Sequence, residues 1–145
     1  MCVYGISETE ILKKDTYFYK LVRGSKQNKF FTSLTLAEYR SIQYLNPDKP
    51  DMLHDNVGKT FSYKIGEEIT SDFGTTPGMY CYVSKEEAKI RKGYWPESYS
   101  TNIRVLKVLV KKGTRIRYAS NSARPNYKNV VLVEALTPVE LVQMD

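Results

Sequence analysis

The run Ile103–Val110 constrains the fold of this chain more than any other segment. Its residues, Ile-Arg-Val-Leu-Lys-Val-Leu-Val, place apolar side chains at both odd and even positions. Because alternate residues of a strand point to opposite faces of a sheet, such a strand needs cover on both faces. The segment therefore predicts a central strand in a buried sheet. Purely apolar runs such as Val130–Val133 are too short to form a membrane-spanning helix.

Other segments complete a prediction of the fold class. Some segments are rich in aromatic and β-branched residues, and others alternate apolar with polar residues. These patterns predict strands at 16–22, 30–34, 61–65, 79–83, 115–118 and 130–135. The first two of these strands are expected to form a hairpin. A Thr or Ser three residues before a Glu, the spacing of a capping box, predicts helices at 35–45, at 84–92 and from Thr137. We therefore expect an α+β fold. It would be a single compact domain over residues 1–145, with a mixed or mainly antiparallel sheet of about six strands and two or three short helices.

The rare residue types exclude several kinds of chemistry. The chain has two cysteines, Cys2 and Cys81, and one histidine, His54, so it lacks the clustered ligands of a zinc site. Neither GxGxxG nor GxxxxGK[ST] occurs. No metal and no cofactor are expected. Cys81 is expected in the core and His54 in an exposed loop. The N-terminus shows no basic and apolar signal segment, which predicts a cytoplasmic protein.

Positive charge is concentrated in one part of the chain. The formal net charge is +6, and residues 85–128 contain twelve Lys or Arg but only three Asp or Glu. Aromatic residues are interleaved with these cations, a combination that suits stacking on bases and pairing with phosphates. Arg115 and Arg117 alternate along a predicted strand and should share one face. The candidate ligand-binding residues are Arg91, Lys92, Tyr94, Trp95, Tyr99, Arg115, Arg117, Arg124, Tyr127 and Lys128.

These observations predict a small non-enzymatic binding protein. Its basic and aromatic surface, residues 85–128, would bind nucleic acid, a nucleotide or an acidic protein surface, with no membrane partner. Two other interpretations stay open. Tyr94 and Trp95 can simply pack at the edge of the core while the lysines are solvated. The protein can also be a structural one whose basic face meets an acidic partner subunit.

The order of several segments resembles an uncharacterised family of small domains from phages and large DNA viruses. The shared layout is a strand, a Gly-containing strand followed by Ser and a short Ala-containing helix, and a later strand rich in Val and Leu. Here Gly78, Ser84 and Ala88 belong to the middle part, and the resemblance spans most of residues 17–118. It implies a viral origin, a location in the host cytoplasm and an action against host defence.

A second pattern is similar to that of the ADP-ribosyltransferases. These enzymes carry an Arg on a first strand, an aromatic-x-Ser-Thr-Ser stretch on a second and a Glu on a later strand. Arg23, Ser33 and Glu134 can be placed on this pattern. The similarity implies an alternative function with NAD as cofactor, in which Arg23 binds the phosphates, Ser33 supports the site and Glu134 orients a ribose hydroxyl. The chain departs from the pattern because Ser33 follows Arg23 by only ten residues and Thr35 replaces the second Ser.

Overall fold

The computed structural model describes residues 3–4, 6–24, 31–33, 62–73, 78–92, 103–121 and 128–143 of the 145-residue chain. Eleven strands and one helix lie in these ranges. The strands are β1 Val3–Tyr4, β2 Glu10–Ile11, β3 Thr16–Gly24, β4 Phe31–Ser33, β5 Ser62–Tyr63, β6 Ile69–Thr70, β7 Met79–Tyr82, β8 Ile103–Val110, β9 Arg115–Asn121, β10 Val130–Val133 and β11 Ala135–Val142. The helix, α1, is Lys85–Lys92.

Antiparallel pairing joins the described strands into one sheet. Its order is β1-β9-β10-β7-β3-β8-β11-β6, with β2 also on β9, β4 on β3 and β5 on β4. Strand β8 pairs with β3 from Ile103 to Val110 and with β11 on its other side. The predicted central strand is therefore confirmed, as are the β3–β4 hairpin and the helix after Ser84.

The predicted fold class is wrong. The described residues form a mostly antiparallel sheet with α1 as their one helix, and not an α+β fold with about six strands and two or three helices. Several strands that the prediction omitted are only two residues long. Such segments are too short to show a periodicity, and they are strands because a longer neighbour supplies hydrogen bonds. The predicted helix 35–45 lies outside the described residues.

The predicted helix from Thr137 is also wrong, because the segment belongs to β11. Thr137 pairs with Leu109, and Val142 pairs with Val105, with a shift of register between Pro138 and Glu140. A shift of this kind lets the sheet accommodate proline, which has no N–H to donate. The ladder with β8 thus overrides a local sequence pattern that is typical of a helix start.

Each face of the sheet carries a hydrophobic cluster. Leu106 and Val108 of β8 belong to one cluster, whereas Ile103 and Val105 belong to the other, together with Ala88 of α1. We call the second face the helix-bearing face. Strands β7 and β10 are buried on both faces, which places Cys81 in the core as predicted.

A buried lysine marks the boundary between β3 and β7. In the described part of the chain these strands share one registered pair, Tyr19 with Tyr82. Beside it, Lys20 is 2% exposed, and its Nζ donates a hydrogen bond of 2.6 Å to the carbonyl oxygen of Tyr80. The same Nζ lies 5.3 Å from the centroid of the Tyr63 ring. A buried cation is stable only when polar or aromatic groups contact it, and Lys20 has both kinds of partner. Its hydrogen bond to Tyr80 also connects β3 to β7 beside their registered pair.

Within the described ranges, no helix has the length and apolar character that crossing a bilayer requires.

Candidate functional site

An open groove lies on the helix-bearing face, between the start of α1 and strands β8 and β11. Its volume is about 530 Å³, which falls in the range of small-molecule binding sites. The groove combines two cations, one anion and an aromatic ring with short apolar walls. Its lining residues are Tyr19, Lys85, Lys107, Glu140, Leu141, Val142 and Gln143.

Strand register brings the polar residues of the groove together. Lys107 pairs with Tyr19 on one side and with Glu140 on the other, so the three side chains are cross-strand neighbours. Lys85, the first residue of α1, also lines the groove. The start of this helix is capped by the Ser84 hydroxyl, which accepts a hydrogen bond of 3.2 Å from the Glu87 N–H. One half of the predicted capping box is therefore present, and it places Lys85 at the groove.

Lys107 lies between an aromatic ring and a carboxylate. Its Nζ is 4.2 Å from the centroid of the Tyr17 ring and 3.8 Å from Oε1 of Glu140. The side chains of Lys107 and Glu140 are 27% and 63% exposed, and Tyr17 is 49% exposed. A long ion pair in contact with water contributes little free energy, so Lys107 can exchange Glu140 for another anion at little cost.

The predicted pair Arg115 and Arg117 has a different environment. Nε and Nη2 of Arg115 donate hydrogen bonds of 3.0 and 2.8 Å to the two carboxylate oxygens of Glu134. These bonds raise the pKa of Arg115 and lower the pKa of Glu134. The pair is a bidentate contact, the geometry in which arginine binds carboxylate best.

Arg117 contacts Thr9 and Phe73. Its Nε donates to Oγ1 of Thr9 at 2.9 Å, and its Nη2 donates to the carbonyl oxygen of Phe73 at 3.2 Å. The guanidinium carbon lies 3.9 Å from the centroid of the Phe73 ring. Burial lowers the pKa of Arg117, and the charge of Arg115 acts in the same direction. Both arginines contact Phe73, which confirms their shared face. Their guanidinium groups are used in contacts within the protein.

The remaining predicted ligand residues are dispersed or undescribed. Arg91 and Lys92 are the last two residues of α1. Burial and the neighbouring Tyr80 raise the pKa of Tyr82, and the positive charge of Arg91 acts in the opposite direction. Lys128 is exposed just before β10. The other candidates, Tyr94, Trp95, Tyr99, Arg124 and Tyr127, lie outside the described residues.

The geometry separates the three residues of the alternative enzyme. Arg23 pairs with Ile103 at the start of β8, and Ser33 pairs with Val22 nearby. Glu134 precedes β11, which meets β8 near Leu109. The distance between these ends of β8 is roughly 20 Å at the usual rise per strand residue. Arg23 and Ser33 are thus not brought to Glu134, which already binds Arg115.

Sequence reasoning missed the residues that form the groove. Tyr19 lines the groove, and the ring of Tyr17 lies beside Lys107. Their alternation in β3 could have indicated two aromatic side chains on one face. Lys85 and Lys107 belong to the basic segment 85–128 but were not among its candidate ligands. Glu140 was assigned to a helix, so its position opposite Lys107 depends on a register that local sequence does not specify.

Within the described ranges, no group of three or more His, Cys, Asp or Glu residues could hold a metal ion. No protein-family model, curated protein or solved structure matches this chain. The resemblances to viral domains and to ADP-ribosyltransferases therefore stay predictions.

Proposed function

We propose that this protein is a non-enzymatic binding module that holds a phosphate-bearing ligand, a nucleotide or nucleic acid, in the groove beside α1. One observation carries the proposal. Lys85 of α1 and Lys107 of β8 lie far apart in the chain, yet they line one groove together with Tyr19. Cations beside aromatic rings favour a ligand that has both phosphate and a planar base.

The groove residues have distinct roles in this proposal. Lys85 and Lys107 bind the phosphate, and the ring of Tyr19 packs against the base or sugar. The excess positive charge of residues 85–128 attracts the ligand from a distance. A module of this kind sequesters its ligand, which agrees with the role that the resemblance to viral domains implies.

The test is calorimetric titration with nucleoside monophosphates and short oligonucleotides over a range of salt concentrations. Binding should weaken as salt rises, because phosphate contacts release counterions. The double variant Lys85→Ala, Lys107→Ala should lose about tenfold or more in affinity.

A charge-matched control separates the groove from general electrostatics. Lys13 and Lys112 are exposed beside the β8–β9 turn, away from the groove, and the double variant Lys13→Ala, Lys112→Ala removes the same charge. It should bind almost as well as the wild type. Equal losses in both double variants would overturn the assignment to the groove, and failure of every phosphate-bearing probe would overturn the function.

A further inference from the structure

We infer that the ligand is a single strand of nucleic acid that extends from the groove along α1. The inference rests on the proposed function and names the class of nucleic acid that the groove takes. It follows from a row of lysines on one flank of the helix, which continues the positive charge of the groove. This lysine row consists of Lys85, Lys89 and Lys92.

Helical periodicity places the lysine row on one flank of α1. Its members are spaced by four and then three residues, so they lie within an arc of about 60° around the helix axis. The side of the helix that faces the sheet carries the buried residues Glu87 and Ala88. Ile90 is 41% exposed on the opposite flank. Because Lys85 lines the groove, the flank with the lysine row is the one that borders the groove.

The charges of the lysine row can bind an incoming anion. Within the described ranges, none of its three members forms an ion pair with a carboxylate, and all three are half-buried. A half-buried lysine can hold its alkyl stem against the protein and its ammonium group in water. Arg91 differs, because it follows Glu87 by four residues and lies on the sheet side, where its charge acts on the buried Tyr82.

The lysine row is longer than a single phosphate group. The Cα atoms of Lys85 and Lys92 lie about 10 Å apart along the helix axis at the usual rise per residue. Successive phosphates of one strand are about 3.4 Å apart along the axis of a duplex and farther apart in an extended strand. A mononucleotide bound at Lys85 and Lys107 therefore leaves Lys89 and Lys92 without phosphate. A strand of about four nucleotides brings further phosphates to them.

The aromatic side chains at the groove favour unpaired bases. Tyr19 lines the groove, and the ring of Tyr17 lies on the same face with its centroid 4.2 Å from Nζ of Lys107. A base can stack on such a ring only when its own face is exposed, as in a single strand. A single strand can therefore use the tyrosines and the lysine row together, whereas a duplex can use only its phosphates.

The deciding experiment measures affinity as a function of strand length. Calorimetry compares thymidine monophosphate with 5′-phosphorylated oligothymidylates of up to twelve nucleotides. We expect affinity to rise about tenfold or more from the monophosphate to the tetranucleotide, because two more lysines bind phosphate. A duplex of twelve base pairs should bind more weakly than a single strand of the same length. Oligouridylates of the same lengths show whether the preferred strand is DNA or RNA.

A double variant of the lysine row tests the cause. Lys89→Gln, Lys92→Gln keeps residues that favour a helix and should lower tetranucleotide affinity about tenfold, while the affinity for the monophosphate stays unchanged. The slope of log affinity against log salt should become shallower by about 1.4 for the tetranucleotide, at about 0.7 for each lost contact with a single strand.

Two further double variants are the controls. Lys13→Gln, Lys112→Gln removes the same charge beside the β8–β9 turn and should leave both affinities almost unchanged. Lys89→Arg, Lys92→Arg keeps the charge and should bind the tetranucleotide as the wild type does. The second control separates the loss of charge from damage to α1.

The outcomes separate the two proposals. Equal affinity for the monophosphate and the tetranucleotide, lost together in Lys85→Ala, Lys107→Ala, overturns the single-strand inference and leaves the binding function intact. Equal losses in the two glutamine double variants, or tighter binding of the duplex than of the single strand, also overturn the inference. Failure of the monophosphate and of every oligonucleotide to bind the wild-type protein overturns both proposals.

Discussion

Two pairs of opposite charge on the same sheet, Lys107–Glu140 and Arg115–Glu134, have different structures. The first joins neighbouring strands by one contact of 3.8 Å. The second makes two hydrogen bonds, of 3.0 and 2.8 Å. Glu134 is also tied through its backbone, since its N–H donates to Arg115 O at 3.1 Å and its carbonyl accepts from the Ser71 N–H at 2.7 Å.

The difference separates a structural contact from a cation that can bind a ligand. Arg115 binds Glu134, the residue between β10 and β11. Arg117 contacts Thr9 and Phe73. Among the described residues, Lys107 has one weakly bound anionic partner, Glu140, and an exposed aromatic neighbour, Tyr17. The most conspicuous arginines in the sequence therefore stabilise the fold, and a lysine within a strand is the better candidate for binding.

The largest expected effect comes from removing the space in which Phe73 packs. Gly78 has φ +107, and a Cβ there would meet Cε1 of Phe73 at 2.6 Å and the carbonyl oxygen of Val133 at 3.0 Å. Gly78→Ala should lower the free energy of unfolding by about 3 kcal/mol in urea denaturation. Gly113 has φ +93 but open space around it, so Gly113→Ala measures the backbone cost alone. Equal losses in the two variants would show that Phe73 simply moves aside.

Next in size is the loss of the Arg117 contacts. Arg117→Ala removes the hydrogen bonds to Thr9 and Phe73 and the contact with the Phe73 ring, and should cost about 2 kcal/mol of stability. Arg117→Lys keeps the charge but not the planar fork and should recover only part of the loss. Lys107→Ala should change stability by less than about 0.5 kcal/mol. Similar losses from Arg117→Ala and Lys107→Ala would remove the distinction between the two regions.

Double-mutant cycles measure the two ion pairs directly. We expect the Lys107–Glu140 coupling to be about 0.3 kcal/mol or less, because the pair is long and solvated. The Arg115–Glu134 coupling should be clearly larger, because two aligned hydrogen bonds would be lost. The reverse order would assign the structural role to the groove pair.

The smallest effect is a difference in acid stability. Since Arg115 lowers the pKa of Glu134 in the folded protein, Glu134 stabilises the fold above the ordinary carboxyl pKa of about 4.3. This contribution disappears as pH falls from there through the lowered value. In urea denaturation, Glu134→Gln should therefore be less stable than wild type near neutral pH, and the difference should narrow in acid. Glu140→Gln serves as the control and should follow the wild-type profile; a matching change there would contradict the comparison.

Local sequence was sufficient where the sheet and the sequence pattern agree. Aromatic and β-branched content predicted β3, and apolar residues on both faces predicted β8. The Ser84 cap predicted α1, and the spacing of Arg115 and Arg117 predicted their shared face. Each of these signals lies within a few residues of the chain, because strand and helix periodicities are local properties. The concentration of positive charge in residues 85–128 also came directly from the sequence.

The tertiary structure alone decided what those elements do together. Thr137 begins a segment that resembles a helix start, yet β8 holds it as a strand because its backbone groups find partners there. The same pairing sets Lys107 between Tyr19 and Glu140, while the bend after β10 brings Glu134 to Arg115. Register and cross-strand contacts join residues far apart in the chain, and no local pattern contains them. The sequence by itself therefore determined the main strands and the charge. Folding determined which cations contact other residues of the protein and which two, Lys85 and Lys107, line the groove.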